Sequence, residues 1–127
     1  MSTLNIPEGY QTLMPYLILK DAAGFWDWAQ AVLGATEKMK SYREDGVTIA
    51  HAELFIGGST LMLAQASEQW PENTAGLFVY VPDVDAVYAR AMDSGATSIM
   101  PPADMPYGRT CGVADPFGNV WWPTTPA

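Results

Sequence analysis

The amino-acid sequence predicts an α+β fold made of two tandem βαβββ modules within one domain, residues 1–127. Three observations support this prediction: an internal repeat, an amphipathic helix after an apolar strand in each copy, and turn residues that separate three further extended segments. The repeat aligns residues 19–39 with residues 81–100 and needs one residue of gap inside the helix. The chain is therefore expected to build the same unit twice.

The first module is predicted over residues 11–66. It begins with the strand "TLMPYLIL", after which Asp21 is placed to cap a helix of about twelve residues that ends at Gly34. Side chains two positions apart on a helix point about 200° apart, so we expect Trp26 to be partly buried and Trp28 to be exposed or at a contact. Three extended segments follow the helix.

A polar, proline-containing linker over residues 67–74 leads to the second module, which is predicted over residues 75–125. This copy repeats the order with the strand "GLFVYV" and a helix capped by Asp83. The segment "PPADMPYG", residues 101–108, is predicted as a long loop. It is either a lid that carries Tyr107 as a contact residue or a rigid connection fixed by its prolines.

Charge and cysteine content narrow the classes of partner. Six Lys and Arg residues against fourteen Asp and Glu residues give a net charge of −8, whereas nucleic acids and anionic membranes require a basic surface. No window approaches the roughly eighteen apolar residues of a membrane span, and the N-terminus lacks a secretory leader pattern. The single cysteine, Cys111, suits a reducing compartment, so we expect a cytoplasmic protein without nucleic-acid or membrane partners.

Five phrases of the sequence, "MPYLILKDAA", "HAELFIGGSTLMLA", "VYVPDVDAVYARAMDSGAT", "PPADMPYG" and "DPFGNVWW", resemble the vicinal oxygen chelate superfamily. This group contains glyoxalase I, extradiol dioxygenases, fosfomycin-resistance transferases and bleomycin-binding proteins, and the phrases are most similar to its PhnB-like branch. The resemblance implies a curved, mostly antiparallel sheet around a cavity, with the helices on the convex side. It also implies a homodimer, because two-module members commonly build their cavities from both chains.

The resemblance further implies where a metal would bind, on the first and last strand of each module. Carried over residue by residue, these positions are Met14, Met62, Gly76 and Trp122. None of them supplies the imidazole, carboxylate or thiolate that Zn²⁺, Ni²⁺ or Fe²⁺ requires, and His51 is the only histidine of the chain. We therefore expect neither a metal nor a cofactor, which argues against glyoxalase or dioxygenase chemistry.

Strand alternation predicts which side chains share the cavity with those positions. A two-residue hairpin at Gly57-Gly58 sets Glu53 opposite Met62. A four-residue turn at "DPFG" sets Cys111 opposite Trp122 in the same way. The predicted ligand-binding residues are Met14, Tyr16, His51, Glu53, Met62, Phe78, Tyr80, Tyr107, Arg109, Cys111 and Trp122.

The polar candidates each have an alternative role. His51 and Glu53 form either an acid/base pair or a hydrogen-bonded pair without a chemical function. Cys111 is either a nucleophile or a small buried hydrophobic residue. Arg109 either anchors an anionic group of a ligand or pairs with one of the fourteen acidic residues.

Two hypotheses about function follow. The first is a metal-independent protein that binds a hydrophobic, aromatic or cationic small organic molecule, such as an antibiotic, and sequesters it. Trp122 supports this hypothesis, because a stacking surface takes the place of a metal ligand while Trp121 packs under the helices. The alternative is a lyase, isomerase or transferase in which His51 and Glu53 act as acid and base in the same cavity.

Overall fold

Within residues 3–127, which are those that the computed structural model describes, the chain forms two helices and eight strands. In chain order these are β1 (Tyr16–Leu19), α1 (Ala22–Leu33), β2 (Thr36–Tyr42), β3 (Ile49–Ile56), β4 (Ser59–Gln65), β5 (Gly76–Tyr80), α2 (Val84–Asp93), β6 (Thr97–Met105), β7 (Gly108–Ala114) and β8 (Val120–Pro126). The order βαβββ occurs twice, so the α+β fold with two repeated modules is confirmed.

The strands form two four-stranded mixed sheets of the same topology. The first sheet has the order β1-β4-β3-β2 and the second the order β5-β8-β7-β6. The first strand of each module pairs in parallel with its last strand, while the other pairs are antiparallel. The helix α1 packs on β1, β3 and β4, and α2 packs on β6, β7 and β8. One face of each sheet is therefore covered by a helix.

Both helices begin at the aspartates that the sequence predicted as caps. Asp21 accepts a hydrogen bond from the backbone N–H of Gly24 at 2.9 Å, and Asp83 accepts one from Ala86 at 3.2 Å. These bonds satisfy backbone donors that the first helical turn leaves without a partner. Neither helix of the described residues is long and apolar enough to cross a membrane.

The helix α1 lies between the two modules, and both of its tryptophans are buried. Trp26 is 3% and Trp28 4% exposed, so the prediction that Trp28 would be exposed or at a contact with another molecule was wrong. Trp26 packs over its own module and donates from Nε1 to Glu37 Oε1 at 3.2 Å. Trp28 instead contacts Phe117 and Trp121 of the second module. The two side chains point in different directions, as predicted, but each direction is covered by protein.

Four rings, Phe25, Trp28, Phe117 and Trp121, form an inter-module aromatic cluster. Phe25 stacks on Trp121 with centroids 6.3 Å apart and 16° between the ring planes. It meets the edge of Phe117 at 5.9 Å. Arg90 of α2 adds a polar link, because its guanidinium donates two hydrogen bonds, at 3.3 and 3.2 Å, to a carbonyl oxygen in the last turn of α1. The modules thus share one hydrophobic core.

The turn "DPFGN" is organised by the buried carboxylate of Asp115. Its Oδ1 accepts the backbone N–H groups of Phe117 and Asn119 at 2.8 and 3.0 Å. Its Oδ2 accepts the Asn119 amide at 3.0 Å and Trp121 Nε1 at 2.8 Å. The backbone N–H of Asp115 also donates to the Asn119 carbonyl at 2.9 Å, so these two residues pair. The loop therefore consists of the three residues 116–118. Its last residue, Gly118, has a φ of 96°, which is in a region that glycine adopts readily because it has no Cβ.

The register of β7 and β8 consequently differs by one residue from the prediction. A four-residue turn would pair Ala114 with Asn119, whereas the structure pairs Ala114 with Val120. A slip of one residue moves every side chain of a strand to the other face of the sheet. Cys111 therefore does not lie on the face of Trp122. In the first module the predicted pairing of Glu53 with Met62 is confirmed.

The segment predicted as a long loop over residues 101–108 is mostly strand. The strand β6 continues to Met105, and only Pro106 and Tyr107 separate it from β7. The β6–β7 pair has two register irregularities, one between Ser98 and Met100 and one between Met100 and Ala103, and the second contains the consecutive prolines at 101 and 102. Proline cannot donate to a ladder and is tolerated on an edge strand, which is the position of β6 in its sheet. Neither the lid nor the loop prediction describes this segment.

Replacing Asp115 with alanine should lower the free energy of unfolding by about 3 kcal/mol, because four donors lose their acceptor and two of them are buried side-chain groups. Urea unfolding followed by circular dichroism measures this loss. Asp27→Ala, at an exposed position of α1, is the matched control and should change the free energy by less than about 0.5 kcal/mol. Equal losses in the two variants would contradict the role of the turn.

Candidate functional site

Each sheet has one face that no helix covers, and we call these the first and second open faces. In the first sheet Tyr16 pairs with Met62, and Met62 pairs with Glu53, so these three residues share the first open face. In the second sheet Phe78 pairs with Trp122 on the second open face. Leu17 in the first sheet and Trp121 in the second lie on the opposite, helix-covered faces and are buried in the core. The predicted division between Trp121 and Trp122 is confirmed.

Three side chains on the first open face form a hydrogen-bonded relay. Glu53 Oε2 lies 2.7 Å from His51 Nε2, and His51 Nδ1 lies 3.0 Å from the Tyr16 hydroxyl. The relay runs from a buried carboxylate, 5% exposed, to a phenol that is 45% exposed.

Glu53 is held by two residues that the sequence did not suggest. The Tyr10 hydroxyl donates to Glu53 Oε1 at 2.6 Å, and Lys38 Nζ lies 3.3 Å from the same oxygen. Burial raises the pKa of the Glu53 carboxyl, but the hydrogen bonds from Tyr10, His51 and Lys38 outweigh it, so the pKa lies below its usual value. The carboxylate is therefore ionised at neutral pH and serves only as an acceptor.

The same residues clamp the N-terminal segment onto the first sheet. The ammonium group of Lys38 lies 3.0 Å from the centre of the Tyr10 ring and donates to the Gly9 carbonyl at 3.1 Å. Gln11 exchanges two hydrogen bonds with the backbone of Thr60, at 2.9 and 3.1 Å. These contacts join residues separated by 28 to 49 positions in the chain, which is why local patterns could not predict them.

The second open face is aromatic. Phe78, Tyr80 and Tyr107 are 52%, 64% and 53% exposed, and Phe78 lies 5.3 Å from Tyr80 and 6.4 Å from Tyr107 between ring centroids. Trp122 lies flat over Gly112, where an added Cβ would come within 2.4 Å of the indole ring. A glycine at this position lets the half-buried indole lie against the backbone of β7, so its other side faces away from the sheet.

Two predicted ligand-binding residues, Arg109 and Cys111, lie on the covered face of the second sheet. Arg109 donates to Asp85 of α2 at 2.9 and 3.1 Å and to Asp104 at 3.1 Å. Cys111 is fully buried in the core, and burial together with the charge of Asp85 raises the pKa of its thiol to about 11. Both residues lie on the covered face rather than on the predicted open face because Asp115 sets a register that differs by one residue from the prediction. For these two residues the alternative roles, an ion pair and a small buried hydrophobic residue, fit the structure.

Met14 also lies apart from the other candidates. It precedes β1 and contributes to a groove formed by the N-terminal segment itself, with Leu4, Ile6 and Tyr10 among its neighbours. The predicted first strand started at residue 12, but regular pairing with β4 begins only at Tyr16. Pro15, which lacks a backbone donor, immediately precedes that point.

Two cavities lie close to the open faces. One, of about 370 Å³, is lined by the following residues of the first open face and its surroundings: Tyr16, Ile18, Arg43, Ala50, Ala64, Gln65 and Trp70. We call it the first-face cavity. The other, of about 380 Å³, lies between the β3–β4 hairpin and β5 and includes Phe78 and Tyr80. Tyr16 therefore lines the first-face cavity. His51 and Glu53 do not line it and are connected to it only through the hydrogen bond between His51 and Tyr16.

Among the residues of the first-face cavity that sequence reasoning missed are one large aromatic residue, Trp70, and one cation, Arg43. Trp70 belongs to the predicted linker and is 63% exposed, and Arg43 follows β2 directly. The available signal was the tryptophan itself, since a large aromatic residue is unusual in an otherwise polar, proline-containing segment. Arg43 donates to the carbonyl of Gln65 at 2.6 Å, which fixes its guanidinium beside the end of β4.

A family model described as Glyoxalase/Bleomycin resistance protein/Dioxygenase superfamily matches residues 12–122. The chain belongs to this superfamily. Among its relatives are two uncharacterized mycobacterial proteins, Mb0911c of Mycobacterium bovis and Rv0887c of Mycobacterium tuberculosis. Both are 36% identical over 121 residues, which cover 86% of this chain, 79% of the first relative and 71% of the second.

Solved structures of other proteins share the fold. The crystal structure of TioX from Micromonospora sp. ML1 matches 92% of this chain and 99% of its own with a TM-score of 0.76 and 26% identity. TnmS3, an antibiotic binding protein from Streptomyces sp. CB03234, matches 93% of this chain and 100% of its own with a TM-score of 0.69 and 21% identity. The likeness to TnmS3 is one of fold.

The superfamily resemblance raised the question of a metal, and the residues at the implied positions do not fit one. Met62 and Trp122 lie on the open faces, Gly76 has no side chain, and Met14 lies apart. Within residues 3–127 no group of three or more His, Cys, Asp and Glu side chains is placed to hold a metal ion. A thioether and an indole are not donors for the hard or borderline divalent ions.

Glu53→Gln should lower the free energy of unfolding at pH 7 by about 2 kcal/mol, because the charge-assisted hydrogen bonds to His51 and Lys38 weaken. The folded pKa of Glu53 is lower than its ordinary value of 4.5, so its stabilisation is present above pH 4.5 and is lost as the pH falls below it. Urea unfolding at pH 7 and at pH 3.5 should therefore give a smaller difference from the wild type at the lower pH.

The exposed Glu68→Gln variant is the matched control for this prediction and should show no difference at either pH beyond about 0.5 kcal/mol. A Glu53→Gln difference that stays constant between the two pH values would show that the charge of Glu53 does not contribute.

Proposed function

We propose that this protein binds an aromatic or hydrophobic small molecule without a metal and sequesters it unchanged. The observation that carries the proposal is the replacement of metal-ligand positions by packing surfaces on the open faces, above all Trp122 over Gly112. An indole that lies flat on a sheet offers a wide, rigid surface to a planar compound. Ligand sites of this kind are mostly apolar, with few polar groups that set the orientation.

The remaining residues of the open faces suit the same role. Phe78, Tyr80 and Tyr107 add exposed aromatic surface next to Trp122, and the relay through Tyr16 adds a polar group on the first open face. The net charge of −8 favours approach of a cationic compound by long-range attraction. An antibiotic is a reasonable ligand class, since TnmS3 shows that this fold accommodates one. Membership of the PhnB-like branch and a cytoplasmic location belong to the same proposal.

A homodimer is part of the proposal. Four aromatic side chains of the open faces are 45–64% exposed in the single chain, which is unusual for a monomeric protein in water; they are Tyr16, Phe78, Tyr80 and Tyr107. A second copy that placed its second open face against the first open face would enclose Tyr16, Phe78 and Tyr80 in one cavity. Two such cavities would then form by symmetry.

Size-exclusion chromatography with light scattering should give twice the chain mass of 13.8 kDa. Phe78→Lys should shift the mass toward that of one chain, because it places a charge on the surface that the partner would cover. Val47→Lys, at a loop position that is 76% exposed, is the matched control and should leave the dimer intact. A wild-type mass of one chain at about 100 μM would contradict the dimer, since stable interfaces persist far below this concentration.

Tryptophan fluorescence should detect saturable binding of compounds from a panel of aromatic antibiotics, also after treatment with a chelator. Trp122→Glu should weaken the affinity by about tenfold or more, because it removes a stacking surface and places a charge there. Val47→Glu controls for the added charge and should bind like the wild type. Chromatography of the recovered compound should show it unchanged. Unaltered affinity in Trp122→Glu, or binding that requires a metal, would contradict the proposal.

The relay itself favours a second candidate function. With His51 only 2.7 Å from Glu53 and 3.0 Å from Tyr16, the first open face contains the elements of an acid/base site, as the alternative of a lyase, isomerase or transferase requires. Conversion of a bound compound that disappears in His51→Ala would favour this enzyme over the binding protein.

A further inference from the structure

The direction of the hydrogen bonds in the relay follows from Glu53. Its carboxylate is an acceptor, and Oε1 already accepts from Tyr10 at 2.6 Å. The contact of 2.7 Å between Oε2 and His51 Nε2 therefore requires a proton on Nε2. In a neutral imidazole the other nitrogen, Nδ1, is then an acceptor.

Tyr16 completes the chain of donors and acceptors. When the imidazole is neutral, its Nδ1 accepts and the hydroxyl 3.0 Å away donates its only proton to it. The lone pairs of the Tyr16 oxygen remain, and Tyr16 is the relay member that lines the first-face cavity. The cavity therefore presents an acceptor at this point, although a free tyrosine could act as donor or acceptor.

The other walls of the first-face cavity are an aromatic ring, aliphatic side chains and one cation. Trp70 is 63% exposed and Ile18 and Ala64 contribute apolar surface. Arg43 donates one hydrogen bond to the Gln65 carbonyl. Within residues 3–127, no carboxylate lies within 4.0 Å of its guanidinium. The guanidinium has further N–H donors for an acceptor oxygen. The volume of about 370 Å³ accommodates a compound of two or three fused rings.

The geometry points to Tyr16 as the residue that selects the ligand of the first-face cavity: a planar aromatic acid with a hydroxyl that donates to the Tyr16 oxygen and a carboxylate that accepts from Arg43. This inference rests on the proposed binding function and narrows it to one class of ligand. A purely cationic aromatic compound does not fit, because Arg43 would repel it inside the cavity despite the acidic character of the whole chain. His51 and Glu53 act here as positioning residues that fix the direction of the Tyr16 hydroxyl.

Isothermal titration calorimetry with naphthalene carboxylates tests the inference. The probes are 2-naphthoates with a hydroxyl at position 5, 6 or 7, each with its methoxy counterpart, which has the oxygen but no proton to donate. At least one hydroxyl compound should bind about tenfold more tightly than its methoxy counterpart. Tyr16→Phe should reduce that ratio to about one, and Arg43→Gln should weaken all the carboxylates by about tenfold.

A second variant separates ligand selection from a merely structural role. His51→Ala leaves Tyr16 in place but removes its acceptor, so the hydroxyl becomes free to donate. The ratio between hydroxyl and methoxy compounds should therefore fall, mainly because the methoxy compounds gain affinity. Tyr42→Phe, an exposed tyrosine beside Trp26 and Lys40, is the matched control and should leave the ratio unchanged.

The possible failures are distinguishable. Equal affinity for hydroxyl and methoxy compounds in the wild type would overturn the role of Tyr16 and leave the proposed function intact. Tighter binding of cationic naphthylmethylamines than of naphthoates would overturn the role of Arg43. Absence of binding by every naphthalene probe, while the antibiotic panel binds, would overturn the ligand class, and absence of binding in both experiments would overturn the proposed function as well.

Discussion

The carboxylate of Asp115 is the group on which the arrangement of the two modules depends. It closes the turn before β8 and at the same time holds the indole of Trp121 in place to stack on Phe25 of the other module. The modules are therefore joined through the covered faces of their sheets and the helix α1 between them. As a result, no helix covers either open face, and the N-terminal segment contacts the first open face through the bond between Tyr10 and Glu53.

Much of the fold was predictable because it depends on local patterns that the chain contains twice. The caps at Asp21 and Asp83, the hairpin that sets Glu53 opposite Met62, and the division between Trp121 and Trp122 all follow from the periods of helix and strand. The register of β7 was not predictable from turn length alone, since a side-chain carboxylate decides how many residues the loop contains. Burial of Trp28 was missed because it depends on the packing of one module against the other, which periodicity within a helix does not report.

The candidate site shows the same division between local and distant contacts. Alternation along β1 and β3 brought Tyr16, His51 and Glu53 to one face, and the structure adds that they form a single relay. Tyr10 is 43 residues away from Glu53 in the chain, so nothing near either residue indicated that they meet. A role for Trp70 could have been inferred from the otherwise polar composition of the linker that contains it. Its place beside a cavity, however, depends on the path of the linker between the modules.

The outer edges of the two sheets have a consequence for how copies of this chain can associate. An exposed strand edge normally offers unpaired backbone groups to any other strand, and consecutive prolines in β6 interrupt the row of donors on one outer edge. The other outer edge, β2, contains Glu37, Lys38 and Lys40, and charged side chains are a second device against strand addition. Strand addition is thereby disfavoured at two of the four edge strands, β6 and β2. For the proposed dimer this favours side-chain contacts between the open faces, rather than strand addition at β2 or β6, as the way in which two copies associate.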